Sequence, residues 1–437
     1  MQQVDLTITA LSPLAIGKKK PGGSVSEACD YIPGTVIRGA IAAKILEQAQ
    51  PNLEHLRTSE NDFKSLFLDD GAAIFQNAYP AIYKHELEEE IKFARIASSK
   101  ISILPATALS AKTHSGFRNN NKTKKKGVFD TLIDRFCAQC LNQIYAPVCP
   151  NLEGKESDRT DTYSGFYCTE ETDSEVKNYH SISIDKRLLT RVGINRKLNT
   201  AEESILYSIE VLNEMQGKNN QQVIYKSSIL LENKELANAL IDYIQANQQS
   251  FRFGGSISRG LGRVELKAES NDTNSNQQAL GNRVKAFNAK LEEQYKDWQK
   301  LFGGRDFNPK KLYFTIDLQS DAILSENWLR TTIISPEMLQ QFVNKNSDNQ
   351  DLQLEIAYSS YDYLSGWNAA WGLKKDVELV TKMGAVYLFS ISQENEEDWL
   401  ERLAKLEITG VGDRTCEGFG QVRVCDRFHL NLWEESK

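Results

Sequence analysis

KELANALIDYIQANQQSFRFGGSISRGLGRVELKA, residues 234–268, runs as an amphipathic helix (234–247), a glycine-rich turn and a strand (262–268). Just before it, residues 204–212 and 223–231 are strand-like apolar segments. At the start of the chain, VDLTITAL (4–11) alternates Val4, Leu6, Ile8 and Ala10 with polar groups, the period of a half-buried strand. YIPGTVIRGAIAAKILEQ (31–48) follows, with Pro-Gly as a stop, Thr35 as the expected N-cap, and Ile37, Ile41 and Ile45 on one helical face. AAIFQNAY (72–79) reads as another strand. The order strand, helix, strand, strand, helix, strand is that of a split βαβ, ferredoxin-like unit. A polar segment from about 82 to 203 is expected as an insertion into it.

The same order then returns. ESNDTNSNQQALGN and its flank (269–283) have linker composition, and Val284, Phe287, Leu291, Tyr295 and Trp298 recur at helical spacing. LYFTIDL (312–318) is a strand, NWLRTTI (327–333) is expected to open a helix, and 352–360 and 382–392 are strands. EDWLERLAKLEI (397–408) is a helix, ending in a second glycine-rich loop and the strand GQVRVC (420–425). The expected architecture is α+β: a first domain over 1–268, a linker over 269–283 and a second domain over 284–437.

The two loops occupy equivalent places. One carries Gly254, Gly255, Ser258, Arg259, Gly260 and Gly262; the other carries Gly410, Gly412, Arg414, Thr415, Gly418, Phe419 and Gly420. Glycine lets a backbone adopt positive φ and bring amides close to phosphates, and the arginine and hydroxyl residues add hydrogen bonds to the same oxygens. Tight turns whose glycines serve geometry alone are the alternative. Arg38, in the first turn of the Thr35-capped helix, would add a guanidinium to a helix N-terminus and make an anion site.

SRGLGRVEL and GDRTCEGFGQV resemble the glycine-rich loops of the RAMP superfamily, the RNA-binding proteins of CRISPR effector complexes, and YIPGTVIRGAI resembles the start of their first helix. With FQNAYP, GVFDTL and RVGINR, the chain resembles in particular the large RAMP subunit of type III-D systems, frequent in cyanobacteria. The resemblance implies two tandem RRM-like domains holding CRISPR RNA around its 5′ handle. It also implies other RAMP and large subunits as partners, and target RNA indirectly. The first half looks filament-forming and the second handle-capping. Two further readings stay open: a ribonuclease, and an assembly protein that touches no RNA.

For a ribonuclease, His180 beside Tyr179, or Asp30 in the loop before the IPG motif, is the candidate catalytic residue. No Walker loop, Rossmann fingerprint or paired carboxylates occur, so NTPase and dehydrogenase roles lack support. Cys137, Cys140, Cys149 and Cys168, four of the seven cysteines, lie in the polar insertion. They make structural Zn2+ the expected cofactor, with His114 or His180 as substitute ligands; unligated thiols and redox chemistry are the alternatives. Trp367 and Trp371, four apart, read as a helical core pair, with base stacking as the alternative.

The 437 residues carry a net charge of −7, which argues against unspecific nucleic-acid binding. The basic residues are nonetheless clustered, in Lys18–Lys20, in 112–126 (Lys112, Arg118, Lys122, Lys124, Lys125, Lys126) and in 185–197 (Lys186, Arg187, Arg191). No run of 18 apolar residues occurs and the N-terminus lacks a signal-peptide pattern, so a cytoplasmic protein is expected, with no membrane partner.

Overall fold

The computed structural model describes residues 1–18, 25–48, 62–69, 71–86, 93–97, 101–118, 125–149, 158–172, 175–195, 197–198, 200–216, 221–271, 276–343, 351–368 and 372–432. The chain is a mixed α and β protein with several small, mostly antiparallel sheets. Two of these sheets share one plan.

In the N-terminal sheet, β1 (Gln2–Ala10) lies between β3 (Ile224–Leu231) and β4 (Val264–Asn271), and β2 (Ile74–Phe75) pairs with the far side of β3. The register sets Val4 against Ile229 and Ser270. The alternation in β1 does what its period requires: Val4, Leu6 and Ile8 are fully buried. Two helices, α1 (Gly34–Gln48) and α2 (Lys234–Ala246), close the core over them with Ile37, Ile41, Leu240 and Ile244. Asn233 caps α2, its Oδ1 accepting from the amides of Glu235 at 2.8 Å and Leu236 at 3.2 Å. Thr35 does not cap α1. The helix already begins at Gly34, whose amide donates to Asn77 Oδ1 at 2.8 Å.

The C-terminal sheet is built from β5 (Lys311–Leu318), β6 (Gln353–Tyr358), β7 (Val386–Ser392) and β8 (Val422–Val424). Its order, β8-β5-β7-β6, repeats β4-β1-β3-β2. Three helices accompany it: α3 (Asn276–Phe302), α4 (Pro336–Phe342) and α5 (Glu396–Thr409). The expected linker is mostly structured. Asn271 still pairs with Gln3 in β4 and α3 starts at Asn276, so only 272–275, outside the described residues, lie between them.

The helix expected at 327–333 is instead a hairpin, Leu324–Glu326 against Leu329–Thr331. The β-branched run Thr331, Thr332, Ile333, Ile334 suits extended chain, and the true helix start is Ser335-Pro336, with Ser335 Oγ accepting from Met338 N at 3.1 Å. Trp367 likewise lies in a short strand, and Trp371 is outside the described residues.

The inserted segment is not self-contained. Its helix Leu132–Cys140 lies on α3, and Leu132, Ile133, Phe136 and Cys137 join the C-terminal core. Asp134 accepts from Trp298 Nε1 at 2.9 Å and Gln294 Nε2 at 2.8 Å. Phe117, Tyr167 and Tyr179 pack around Phe428 near the end of the chain. The insertion therefore fastens the two units together.

Candidate nucleic-acid interface

The two glycine-rich loops fold on one hydrogen-bond frame. In the first, Phe253 N donates to Gly262 O (2.8 Å), Gly255 N to Ala15 O (2.8 Å), Arg259 N to Ser256 O (2.9 Å) and Gly262 N to Pro13 O (2.9 Å). In the second, Val411 N donates to Gly420 O (2.8 Å), Asp413 N to Ile323 O (2.9 Å), Glu417 N to Arg414 O (2.9 Å) and Gly420 N to Asp321 O (2.9 Å). Even the side-chain clip repeats: Ser12 Oγ accepts from Arg263 N and Ser320 Oγ from Gln421 N, both at 2.8 Å. Each loop wraps one short helical turn between residues of positive φ, Ser256 (57°) and Gly260 (86°) in one, Arg414 (60°) and Gly418 (94°) in the other.

Several glycines serve this frame directly. A Cβ at Gly254 would lie 2.5 Å from Ala15 O, and one at Gly412 2.3 Å from Ile323 O. Gly262, Gly410 and Gly420 are equally hemmed in by backbone oxygens. Gly260 has open space around it, and its positive φ alone calls for glycine.

The surroundings of the two loops differ. Ser258, Arg259 and Gly260 are exposed, whereas Gly418, Phe419 and Gly420 are buried and Thr415 half-buried. Gly418 sits where a Cβ would be 2.6 Å from Asn77 Oδ1, and a Cβ at Gly34 would be 2.8 Å from Glu417 O. The second loop is thus seated on the start of α1 in the other unit. Its Arg414 is occupied, pairing with Glu417 and lying over the Phe419 ring at 5.1 Å. Burial pushes the Glu417 carboxyl up, but Arg414, Lys375 and Arg38 outweigh that and hold it below the ordinary glutamate value.

Beside the first loop rises a long hairpin, Lys186–Asn195 against Thr200–Leu212. Val211 at its base packs with Ala15 and Leu261 under the loop. The Arg259 guanidinium lies 5.5 Å from the Tyr207 ring centroid and hydrogen-bonds its hydroxyl. Arg191 reaches Arg259 O at 3.5 Å, and Arg187 pairs with Glu214 at 3.0 Å. The tertiary structure so joins the 185–197 basic cluster to the first loop. Tyr207 had no signal of its own in the sequence, since one tyrosine in a strand pattern is ordinary.

A family model for the RAMP superfamily matches residues 7–265. The chain belongs to the RAMP superfamily. No curated protein matched it. Among solved structures, this RAMP chain is similar to a chain of the Type III-B Cmr-beta complex bound to cognate target RNA and AMPPnP. Identity there is 12% over 91% of this chain and 88% of that one, with a TM-score of 0.36. Oligomeric Cmr4 from Pyrococcus furiosus is 11% identical, covering 62% of this chain and 99% of that one, with a TM-score of 0.25. A Cas6 product complex is 12% identical, covering 48% and 81%, with a TM-score of 0.27.

Other residues expected to be functional in this RAMP protein lie elsewhere. Arg38 is half-buried, donating to Phe67 O at 2.5 Å and lying 5.7 Å from the Phe67 ring. The anion site expected at α1 is filled by Asn77 and the second loop. Lys18 pairs with Asp362 at 3.3 Å and Lys126 with Asp158 at 3.2 Å. Lys19, Lys20, Lys122 and Lys124 are outside the described residues.

Cys137 and Cys168 lie in different clusters, Cys137 in the C-terminal core and Cys168 with Tyr79, Ile103, Phe166 and Ile182. Cys140 is exposed at the end of the helix Leu132–Cys140. The Cys149 side chain and any contact it makes fall outside the described set. Among the described residues no group of three His, Cys, Asp or Glu could hold a metal. His114 is exposed and touches Thr113, while His180 faces Cys168 across a strand pair.

His180 is 4% exposed, out of reach of a surface-bound RNA hydroxyl. Asp30 is exposed and bridges to Lys186 Nζ at 2.7 Å. Among the described residues no helix is long and apolar enough to cross a membrane.

Proposed function

We propose that this chain is an RNA-binding structural subunit of a type III CRISPR effector complex, composed of two ferredoxin-like, RRM-like domains over 1–268 and 284–437. The single observation that carries this is the contrast between two identically folded RAMP loops. One exposes an arginine hydrogen-bonded to a tyrosine, and the other is consumed in joining the domains. Arg259, held at the Tyr207 hydroxyl, keeps further guanidinium N–H groups for phosphate oxygens, and the Tyr207 ring suits stacking by single-stranded bases. Arg191 extends the cationic strip along the hairpin. In a chain of net charge −7, that strip localises RNA rather than spreading it over the surface. The RNA is CRISPR RNA, its 5′ handle in the type III-D reading, with other RAMP and large subunits as neighbours.

The test is binding of labelled repeat-derived RNA and a scrambled control over a salt series. Arg259→Ala should weaken binding and lower the salt slope by about 1, whereas Arg414→Ala should leave the slope unchanged. RNA affinity indifferent to Arg259 sinks the proposal and favours an assembly protein. RNA cleavage lost with Asp30→Ala would favour the ribonuclease.

A further inference from the structure

The hairpin Leu324–Glu326/Leu329–Thr331 carries a two-residue turn, Asn327-Trp328, with φ of 48° and 66°. Positive φ at both positions is the geometry that favours Asn-Gly, so tryptophan is a costly occupant of the second. Nothing in the fold repays that cost: the Trp328 side chain is fully exposed, and the adjoining Leu329 is 71% exposed.

The stalk beneath is held fast. Arg330 Nη1 donates to Ser325 Oγ at 2.5 Å and Asp413 Oδ2 at 2.7 Å, and Nη2 to Glu378 Oε2 at 2.8 Å. Glu326 accepts from Ser335 Oγ. An aromatic–aliphatic pair is thereby presented on a braced arm instead of a loose loop, the kind of anchor that dominates protein interfaces.

The charge around it selects the partner class. Asp413 and Glu378 flank the Arg330 guanidinium and Glu326 directly precedes the turn, three carboxylates to one cation, so the rim is net negative. A phosphate backbone is repelled there; a protein with lysine or arginine around an apolar pocket is attracted. We propose that Trp328 and Leu329 form a docking knob for a neighbouring protein subunit whose apolar pocket has a basic rim. The proposal rests on the effector-subunit reading above.

Trp328→Gly is the decisive variant, because glycine relieves the positive φ and should leave the fold at least as stable. The chain is co-expressed with the other subunits of its effector complex and the complex is purified. The expected result is a loss of at least about thirtyfold in the affinity that retains this chain, with RNA binding by the isolated chain unchanged. Retention should also weaken as salt rises. Unchanged retention overturns the proposal. So does a loss of RNA affinity in the variant, which would assign the ring to base stacking, or wild-type self-association in sedimentation that the variant abolishes. Arg259→Ala, assayed beside it, reports on the RNA-binding reading separately: assembly lost with Trp328→Gly while Arg259 proves irrelevant to RNA leaves the knob standing and removes the other.

Discussion

Gly34 and Gly418 each lie against the other half of the chain, and each is required for close approach. A Cβ on Gly34 would stand 2.0 Å from Phe75 O and 2.8 Å from Glu417 O. Both are backbone atoms, which cannot rotate aside as a side chain can. Gly34→Ala should therefore cost about 1–3 kcal/mol or more by overpacking, read as a lower urea midpoint. An unchanged midpoint would mean that α1 and the second loop are not seated as described. In the sequence this glycine looked like a turn residue after proline; its partner Glu417 is 383 positions away, a contact no local pattern encodes.

Three elements converge on His429, from the turn Arg427–Leu430. Its Nε2 lies 2.9 Å from Asp317 Oδ1 on β5, and its Nδ1 3.2 Å from Asp130 Oδ2 on the inserted strand Val128–Asp130. The second contact is an ion pair off the hydrogen-bonding axis. Asp130 is itself held by Thr107 Oγ1 at 2.5 Å and the Leu132 amide at 2.8 Å. Burial alone would push the imidazole down, but Asp317 and Asp130 outweigh it and hold its pKa well above the ordinary 6.5. The folded value is the higher one. Its contribution is therefore complete below about 6.5 and disappears as pH rises through the folded pKa. His429→Gln should destabilise by about 3–5 kcal/mol at neutral pH, and the gap to wild type should narrow under alkaline conditions. Urea unfolding at a series of pH values checks this; a gap that widens with pH would refute the imidazolium. The sequence showed only a lone histidine near the last strand.

For the whole molecule, the insertion binds what the repeat alone would leave separable. Leu132, Ile133 and Phe136 fill the C-terminal core, so residues 276–437 expressed alone would expose that apolar face. That fragment should bind a hydrophobic dye and lack the cooperative transition of the full chain. A sharp two-state transition in the fragment would show that the insertion is dispensable. The composition behind the zinc expectation has another explanation of the same kind. A polar, cysteine-bearing segment with little core of its own suggested a metal, whereas its apolar residues are satisfied by the neighbouring unit.

Most strands of both halves, the burial of Val4, Leu6 and Ile8, the helix α2 and the equivalent placing of the two glycine-rich loops were legible in the sequence; the helix expected at 327–333 and the Thr35 cap were not borne out. The legible features follow from short-range periodicity and turn chemistry, which a chain carries residue by residue. What distinguishes the loops was not. Ser258-Arg259-Gly260 and Cys416-Glu417-Gly418 share one backbone, and only packing against Tyr207 in one case and Asn77 in the other makes one a surface and the other a joint. Exposure is a property of what lies opposite a residue in space, and contacts across hundreds of positions leave no period to read.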